Sequence, residues 1–167
     1  QIQAFKKIEN NKDIVAVLPT GYGKTNIALY AFQKSVEQEK KFLMLLPLKA
    51  LVEEMKETVS RYFSVLPLSG DYRHKKRLLQ NSKKNKQQST KRYDNSKKTV
   101  EVQGYAMTYE MAYQYAISKK RRKELFHGIK WIVIDEAHLM TNPSRGPPLE
   151  SFVYLMRKFS TNKKFVL

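Results

Sequence analysis

The sequence contains no cysteine, and it has about half as many acidic residues as basic ones. Without cysteine there is no disulfide framework and no thiolate zinc site, and the three histidines, His74, His127 and His138, lack metal-ligand spacing. No apolar run approaches the ~20 residues that span a bilayer, and the longest, Phe42 to Leu46, ends at Pro47. These absences predict an intracellular protein, cytoplasmic or nuclear, without a membrane segment.

The basic excess is concentrated in two segments. Of the net charge of +17, residues 73–98 carry +10 and residues 119–123 carry +5. Concentrated positive charge is typical of contact with a polyanion, because each neutralised phosphate releases counterions. For residues 73–98 a solvated lysine-rich segment without a partner explains the composition equally well, and residues 80–98 are predicted to be an exposed basic insertion. We interpret residues 119–123 as a solvated helix surface or turn.

Apolar runs of strand length alternate with helical patterns along the chain. Strands are predicted at 13–18, 42–46, 64–68, 99–107, 131–134 and 165–167, and helices at 1–10, 25–36, 48–59, 109–117 and 149–159. This alternation predicts an α/β fold with a mostly parallel sheet and helices on both faces. The length suits one domain, residues 1–167. Because the sequence stops within its last predicted strand, we expect it to be a fragment of a longer chain.

A glycine-containing loop follows the first predicted strand and reads Pro19-Thr20-Gly21-Tyr22-Gly23-Lys24-Thr25. Glycines let successive backbone amides point at one anion, and the start of the next helix adds its dipole. Lys24 is then placed to neutralise the β and γ phosphates of a nucleotide, and the Thr25 hydroxyl to ligate magnesium. The strict phosphate-loop pattern has glycine where this chain has Leu18. An ordinary glycine turn before a helix is the alternative.

A second polar run, Asp135-Glu136-Ala137-His138, follows a buried strand. Open α/β sheets bind their ligands at the carboxyl ends of the strands. Asp135 is predicted to hold magnesium, and Glu136 to act on the attacking water as general base. His138 is a candidate for coupling the γ-phosphate side to neighbouring elements. Together with Lys24 these carboxylates predict an ATP-hydrolysing site, the alternative being two surface acids that end a strand.

These two runs together resemble the first RecA-like motor domain of superfamily 2 helicases, with a DEAH-type motif II. Pro47-Leu48-Lys49-Ala50-Leu51 is similar to motif Ia, and Ser69-Gly70-Asp71-Tyr72 resembles the glycine motif. Thr108-Tyr109-Glu110 resembles motif Ib, which reads Thr-Pro-Glu in most members. The resemblance covers nearly the whole chain.

The resemblance implies a RecA-like P-loop fold, ATP and Mg²⁺ as cofactors, and single-stranded DNA or RNA as partner. It also implies nucleic-acid contacts by the loop residues Pro47, Lys49, Gly70, Thr108 and Glu110. By the same resemblance, the nucleotide is bound by Thr20, Gly21, Tyr22, Gly23, Lys24 and Thr25, with Gln1 in the place of an adenine-reading glutamine. Thr108 and Glu110 are equally good as ordinary helix-capping residues.

The branch within the superfamily is read from smaller features. The run Arg145-Gly146-Pro147-Pro148-Leu149-Glu150 after the DEAH residues is similar to the Ski-type branch, which includes archaeal repair helicases. Tyr22 in the phosphate loop is also compatible with a CRISPR-associated or RecQ-like helicase domain. A second RecA-like domain of the same protein would supply arginine fingers, so the isolated domain is expected to be weak or inactive. The alternative is a nucleotide-gated nucleic-acid-binding module that does not unwind duplexes.

Overall fold

The computed structural model describes residues 1–18, 22–68, 101–160 and 162–167. Its strands are β1 (Lys41–Leu46), β2 (Val65–Leu68), β3 (Gly104–Thr108), β4 (Ile129–Ile134) and β5 (Lys164–Val166). They form one parallel sheet in the order β2-β3-β1-β4-β5. The helices are α1 (Ile2–Glu9), α2 (Lys24–Glu37), α3 (Lys49–Val59), α4 (Tyr109–Ile117), α5 (Lys119–Phe126) and α6 (Gly146–Phe159), and a short 3-10 helix spans Ala137–Thr141. The predicted α/β class is confirmed.

Both faces of the sheet are buried, because its central strands are apolar at nearly every position. Side chains alternate along β1, so Phe42 and Met44 pack into the core that α1, α2 and α3 cover. Leu43 and Leu45 enter the second core, which α4, α5 and α6 cover. Each strand therefore needs a helix layer on each side, which explains why the apolar runs in the sequence are continuous.

The segment predicted as a strand at residues 13–18 pairs with β5 but contains only an isolated bridge, between Ile14 and Val166. Ile14 N–H donates to the Phe165 carbonyl at 2.8 Å, and Leu167 N–H donates to the Ile14 carbonyl at 2.9 Å. Among the described residues this segment has a neighbour on one side only, and Val17 is 90% exposed. The strand predicted at residues 13–18 is therefore only partly realised.

Other boundaries differ by a few residues or lie outside the described ranges. The strand predicted at 99–107 is observed at Gly104–Thr108. The basic cluster at 119–123 opens α5, where the Ser118 hydroxyl accepts from Arg121 N–H at 3.5 Å. The turn predicted at Ser69-Gly70-Asp71 and the insertion at 80–98 lie outside the described residues. Within the described ranges, no helix is both long and apolar enough to cross a membrane.

Candidate nucleotide site

The residues that follow three neighbouring strands, β3, β1 and β4, lie together at one edge of the sheet. In the parallel register Leu46 pairs with Thr108 on β3, and Leu45 pairs with Ile134 on β4. The carboxyl ends of β1, β3 and β4 are therefore level. The residues that follow these strands, which begin with Pro47, Tyr109 and Asp135 respectively, share the edge where open α/β sheets bind ligands.

The described part of the phosphate loop leads directly into α2. Gly23 has φ of 81°, in the left-handed region that favours glycine, and precedes the first helical residue, Lys24. Lys24 and Thr25 are exposed in the first turn, where backbone N–H groups lack partners within the helix and the dipole is positive. Thr20 and Gly21 lie outside the described residues. This helix start has the form of an anion-binding end.

The Gln1 side chain packs on this loop. Its Nε2 donates to the Tyr22 carbonyl at 2.7 Å, and a Cβ added to Gly23 would lie 2.1 Å from the same nitrogen. Glycine at position 23 thus serves both the backbone conformation and the close approach of Gln1. The structure brings Gln1 and the phosphate loop together, as the adenine-reading hypothesis requires, while that role stays a prediction.

The Asp135 carboxyl of the second motif has a raised pKa. Burial raises the pKa of the Asp135 carboxyl, and the neighbouring Glu136 carboxylate raises it further. A backbone hydrogen bond from Glu136 and the positive charge of Lys24 oppose this rise. Lys24 and Asp135 are far apart in sequence, but the segment before the phosphate loop runs parallel to β5, so the start of α2 and the residues after β4 lie toward the same end of the sheet. A half-buried carboxylate with a perturbed pKa at the carboxyl end of a parallel strand is a candidate functional group.

Glu136 adopts an uncommon backbone conformation. Its φ is 54°, in the left-handed region where residues other than glycine are infrequent and cluster at functional sites. The Glu136 side chain is 42% exposed, and its Oε2 lies 3.2 Å from His138 Nδ1. The carboxylate is therefore accessible to water and is oriented by its neighbour. The roles of Glu136 as general base and of His138 as coupling residue stay predictions.

Tyr109 is a site residue that the sequence analysis missed. Its side chain is fully buried, and its hydroxyl donates to the Asp135 carbonyl and, at 3.5 Å, shares a second contact with the Glu136 carbonyl. Burial, followed by the charges of Asp135 and Glu136, raises the pKa of the Tyr109 phenol far above its usual range, so the hydroxyl keeps its proton. The signal in the sequence was tyrosine in place of the proline usual in motif Ib.

Arg145 is a second missed residue and joins two loops of the same edge. Its Nη1 donates to the Pro47 carbonyl at 2.7 Å. The Asn142 Oδ1 accepts from the backbone N–H groups of Ser144, at 3.0 Å, and of Arg145, at 3.2 Å, and so shapes the turn that presents the guanidinium. The next position requires glycine, because a Cβ at residue 146 would lie 2.0 Å from the Met140 carbonyl oxygen.

The candidate nucleic-acid contacts differ in exposure. Lys49 is exposed at the first position of α3, and Glu110 is exposed in the first turn of α4. Thr108 is half-buried and caps α4 by accepting from Met111 N–H at 3.4 Å. Pro47 is buried, so it offers no exposed side chain. Gly70 lies outside the described residues.

The residues predicted to hold a metal fit magnesium by their chemistry. Thr25 offers an exposed hydroxyl and Asp135 a half-buried carboxylate, and both are hard oxygen donors toward the same end of the parallel sheet. Mg²⁺ prefers oxygen ligands and is usually bound by one or two protein groups together with substrate phosphates and water. The donor set is therefore suited to a cation that arrives with the nucleotide.

Known proteins with similar sequences identify the family of this chain. The family model described as DEAD/DEAH box helicase matches residues 1–167. The chain is 29% identical to the ATP-dependent DNA helicase Hel308 of Methanocella arvoryzae over 97% of its length, which is 20% of that protein. It is 25% identical to the ATP-dependent helicase Lhr-Core of Saccharolobus solfataricus over 99% of its length, or 19% of the relative. The chain thus spans about a fifth of these relatives.

A solved structure, that of the DUF1998 helicase MrfA bound to DNA and AMPPNP, matches 99% of this chain with a TM-score of 0.69 and 18% identity, covering 22% of the MrfA chain. At that identity the likeness concerns the fold, and it confirms the RecA-like arrangement. With the phosphate loop, the DEAH residues and the full-length family match, this chain belongs to the DEAD/DEAH box helicase family.

Proposed function

We propose that this chain is the nucleotide-binding half of an ATP-driven motor that moves along single-stranded nucleic acid. The observation that carries the proposal is the parallel arrangement that puts the start of α2, with Lys24, and the residues after β4, with Asp135, at the same end of the sheet. This arrangement supports an ATP site built from loops that are distant in sequence. Family membership supports the same reading.

In this proposal each residue has a separate task. Lys24 and the amides at the start of α2 bind the β and γ phosphates, together with Gly21 and Gly23. Thr25 and Asp135 hold Mg²⁺, which when bound supplies charge neutralisation at the phosphates. Glu136 orients the attacking water and takes up its proton.

The polynucleotide is proposed to bind along the same edge. Lys49, Thr108, Glu110 and Gly70 are the proposed contacts, and the exposed positive charge of Lys49 supports its assignment. Some relatives are named DNA helicases, and one from Arabidopsis thaliana is named an RNA helicase. The proposal therefore concerns single-stranded nucleic acid as a class, and such a substrate would place the protein in the cytoplasm or the nucleus.

A second RecA-like domain of the same protein is proposed to complete the site. In phosphoryl transfer an arginine finger contributes roughly 10³ to 10⁵ in rate. The chain spans about a fifth of its relatives, which leaves room in them for such a domain. Alone, this chain is expected to bind ATP weakly and to hydrolyse it slowly.

The proposal is tested by separating nucleotide binding from turnover in the full-length protein. Lys24→Met is expected to weaken binding of a fluorescent ATP analogue by roughly 10- to 100-fold, because it removes a charged partner of the phosphates. Lys34→Met is the matched control, since Lys34 lies on the same helix in an exposed pair with Glu37. Equal binding by Lys24→Met and Lys34→Met would contradict the proposed site.

Glu136→Gln is expected to retain nucleotide binding and to reduce single-turnover hydrolysis by roughly 10² to 10⁴. In a motor, strand displacement from a duplex is lost together with hydrolysis. If Glu136→Gln still releases nucleic acid at the rate of the unmodified protein, the alternative of a nucleotide-gated binding module is favoured instead.

A further inference from the structure

The Tyr109 side chain connects the first turn of α4 to the loop that contains Asp135 and Glu136. Tyr109 is the first residue of α4, directly after β3, and lies between the candidate nucleic-acid contacts Thr108 and Glu110. Its ring is fully buried, and its hydroxyl reaches the backbone carbonyls of Asp135 and Glu136. A single buried side chain thus spans from the start of α4 to the loop after β4.

The backbone that Tyr109 contacts is held in place by several interactions. Asp135 N–H donates to the Leu45 carbonyl at 3.0 Å, which ties the beginning of the loop to β1. Glu136 follows in the left-handed conformation, which persists only when its surroundings hold it. The Tyr109 hydroxyl accounts for part of that support, because it binds the carbonyls on both sides of the change in backbone direction.

We propose that Tyr109 is a positioning residue that couples nucleic-acid contact at Thr108 and Glu110 to the orientation of Asp135 and Glu136. This inference rests on the proposed function of the two loops. Thr108 is anchored to α4 by its cap to Met111 N–H. A polynucleotide bound by Thr108 and Glu110 therefore acts on the first turn of α4, and Tyr109 belongs to that turn.

The coupling is expected to change turnover more than nucleotide affinity. Tyr109 contacts the main chain of the DEAH loop, whereas the phosphates are proposed to be bound by Lys24 and the start of α2. A small displacement of a water-orienting carboxylate has a large effect on rate, because reaction requires aligned groups at close distance. Coupling between two binding sites is also reciprocal, so bound nucleotide must change nucleic-acid affinity through the same contact.

The test compares Tyr109→Phe with Tyr113→Phe in the full-length protein. Tyr113 lies one turn further along α4 and is half-buried, so its variant controls for loss of a hydroxyl from the same helix. ATP turnover is measured with and without 30-nucleotide oligo-dT or oligo-U. We expect Tyr109→Phe to lower the ratio of stimulated to unstimulated turnover by roughly 2- to 30-fold, while Tyr113→Phe preserves it.

A second measurement uses the reciprocity. The affinity for the same oligonucleotides is measured with and without AMPPNP, and the change caused by AMPPNP is expected to shrink in Tyr109→Phe. A stimulation ratio in Tyr109→Phe equal to that of the unmodified protein would overturn the inference. This holds even if both turnover rates fall, because an equal fold-loss of stimulated and unstimulated turnover indicates a structural role alone. These outcomes are distinct from failure of the proposed function, which the Lys24 and Glu136 variants report independently.

Discussion

Arg145 and Pro47, which are 98 residues apart in sequence, are joined by a 2.7 Å hydrogen bond from the Arg145 guanidinium to the Pro47 carbonyl. The bond links the turn before α6 to the loop between β1 and α3. Lys49 begins α3 two residues after Pro47. The hydrogen bond therefore helps to position Lys49, a candidate nucleic-acid contact. The loops at the site edge are thus held by side chains from other loops as well as by their own strands.

Replacing Arg145 by Met is expected to lower the free energy of unfolding by about 1 to 3 kcal/mol, because a charged donor to a carbonyl is removed. Urea denaturation measures the change. Arg121→Met is the matched control, since Arg121 is exposed on α5, and its effect should stay within about 0.5 kcal/mol. Equal effects of the two substitutions would contradict a structural role for the Arg145 bond.

Two glycines provide a steric comparison. Gly146→Ala is expected to cost about 1 to 3 kcal/mol, as overpacking does, because the new Cβ would lie 2.0 Å from the backbone oxygen of Met140. Gly128→Ala meets no atom within 4 Å, and it should be neutral or stabilise the protein by up to about 1 kcal/mol through the unfolded state. Thermal unfolding of both variants measures the difference, and the reverse order would refute the crowding argument.

The Gln1 contact with Gly23 is testable by a double-mutant cycle. Gly23→Ala is expected to destabilise the protein by about 1 to 2 kcal/mol, because alanine is strained at positive φ, with a further cost because Gln1 Nε2 must move. In a Gln1→Ala background only the first cost should remain, so the two substitutions are expected to be non-additive. Additive losses of stability in urea denaturation would show that Gln1 does not limit the space at Gly23.

The buried Lys163 predicts a pH dependence of stability. Its Nζ donates to the Phe126 carbonyl at 2.5 Å and to the Ile129 carbonyl at 3.2 Å, and burial lowers the pKa of Lys163 to about 8. In the unfolded chain the pKa of a lysine is about 10.4. Between these two values the unfolded state binds more protons than the folded state, so the free energy of unfolding should rise with pH.

The rise attributable to Lys163 between pH 7 and pH 9.5 is expected to be about 2 kcal/mol. It is measured as the difference between the unmodified protein and Lys163→Met in urea denaturation at both pH values, so that other titrating groups cancel. Below the folded pKa both states carry the proton, and the difference should become constant. Parallel pH profiles for the two proteins would contradict the lowered pKa.

Much of the fold was predictable because it follows from local pattern. The apolar run at Phe42 to Leu46 gave β1, and α4 was predicted with its observed bounds, Tyr109–Ile117. Lys24 and Asp135 were expected to meet, because loops after parallel strands share one edge of the sheet. The weak point was residues 13–18, where a compact apolar run predicted a strand but the described part of the chain shows only the isolated bridge between Ile14 and Val166.

The sequence by itself determined the fold class, the helicase family and the residue types of the candidate ATP site, because periodicity and short motifs are encoded by neighbouring residues. Only the tertiary structure decided the contacts that support the site. The hydroxyl of Tyr109 on the Asp135 carbonyl and the guanidinium of Arg145 on the Pro47 carbonyl both end on backbone oxygens of distant segments. Every residue carries such an oxygen, so no sequence pattern marks the acceptor, and only the path of the chain in space selects it.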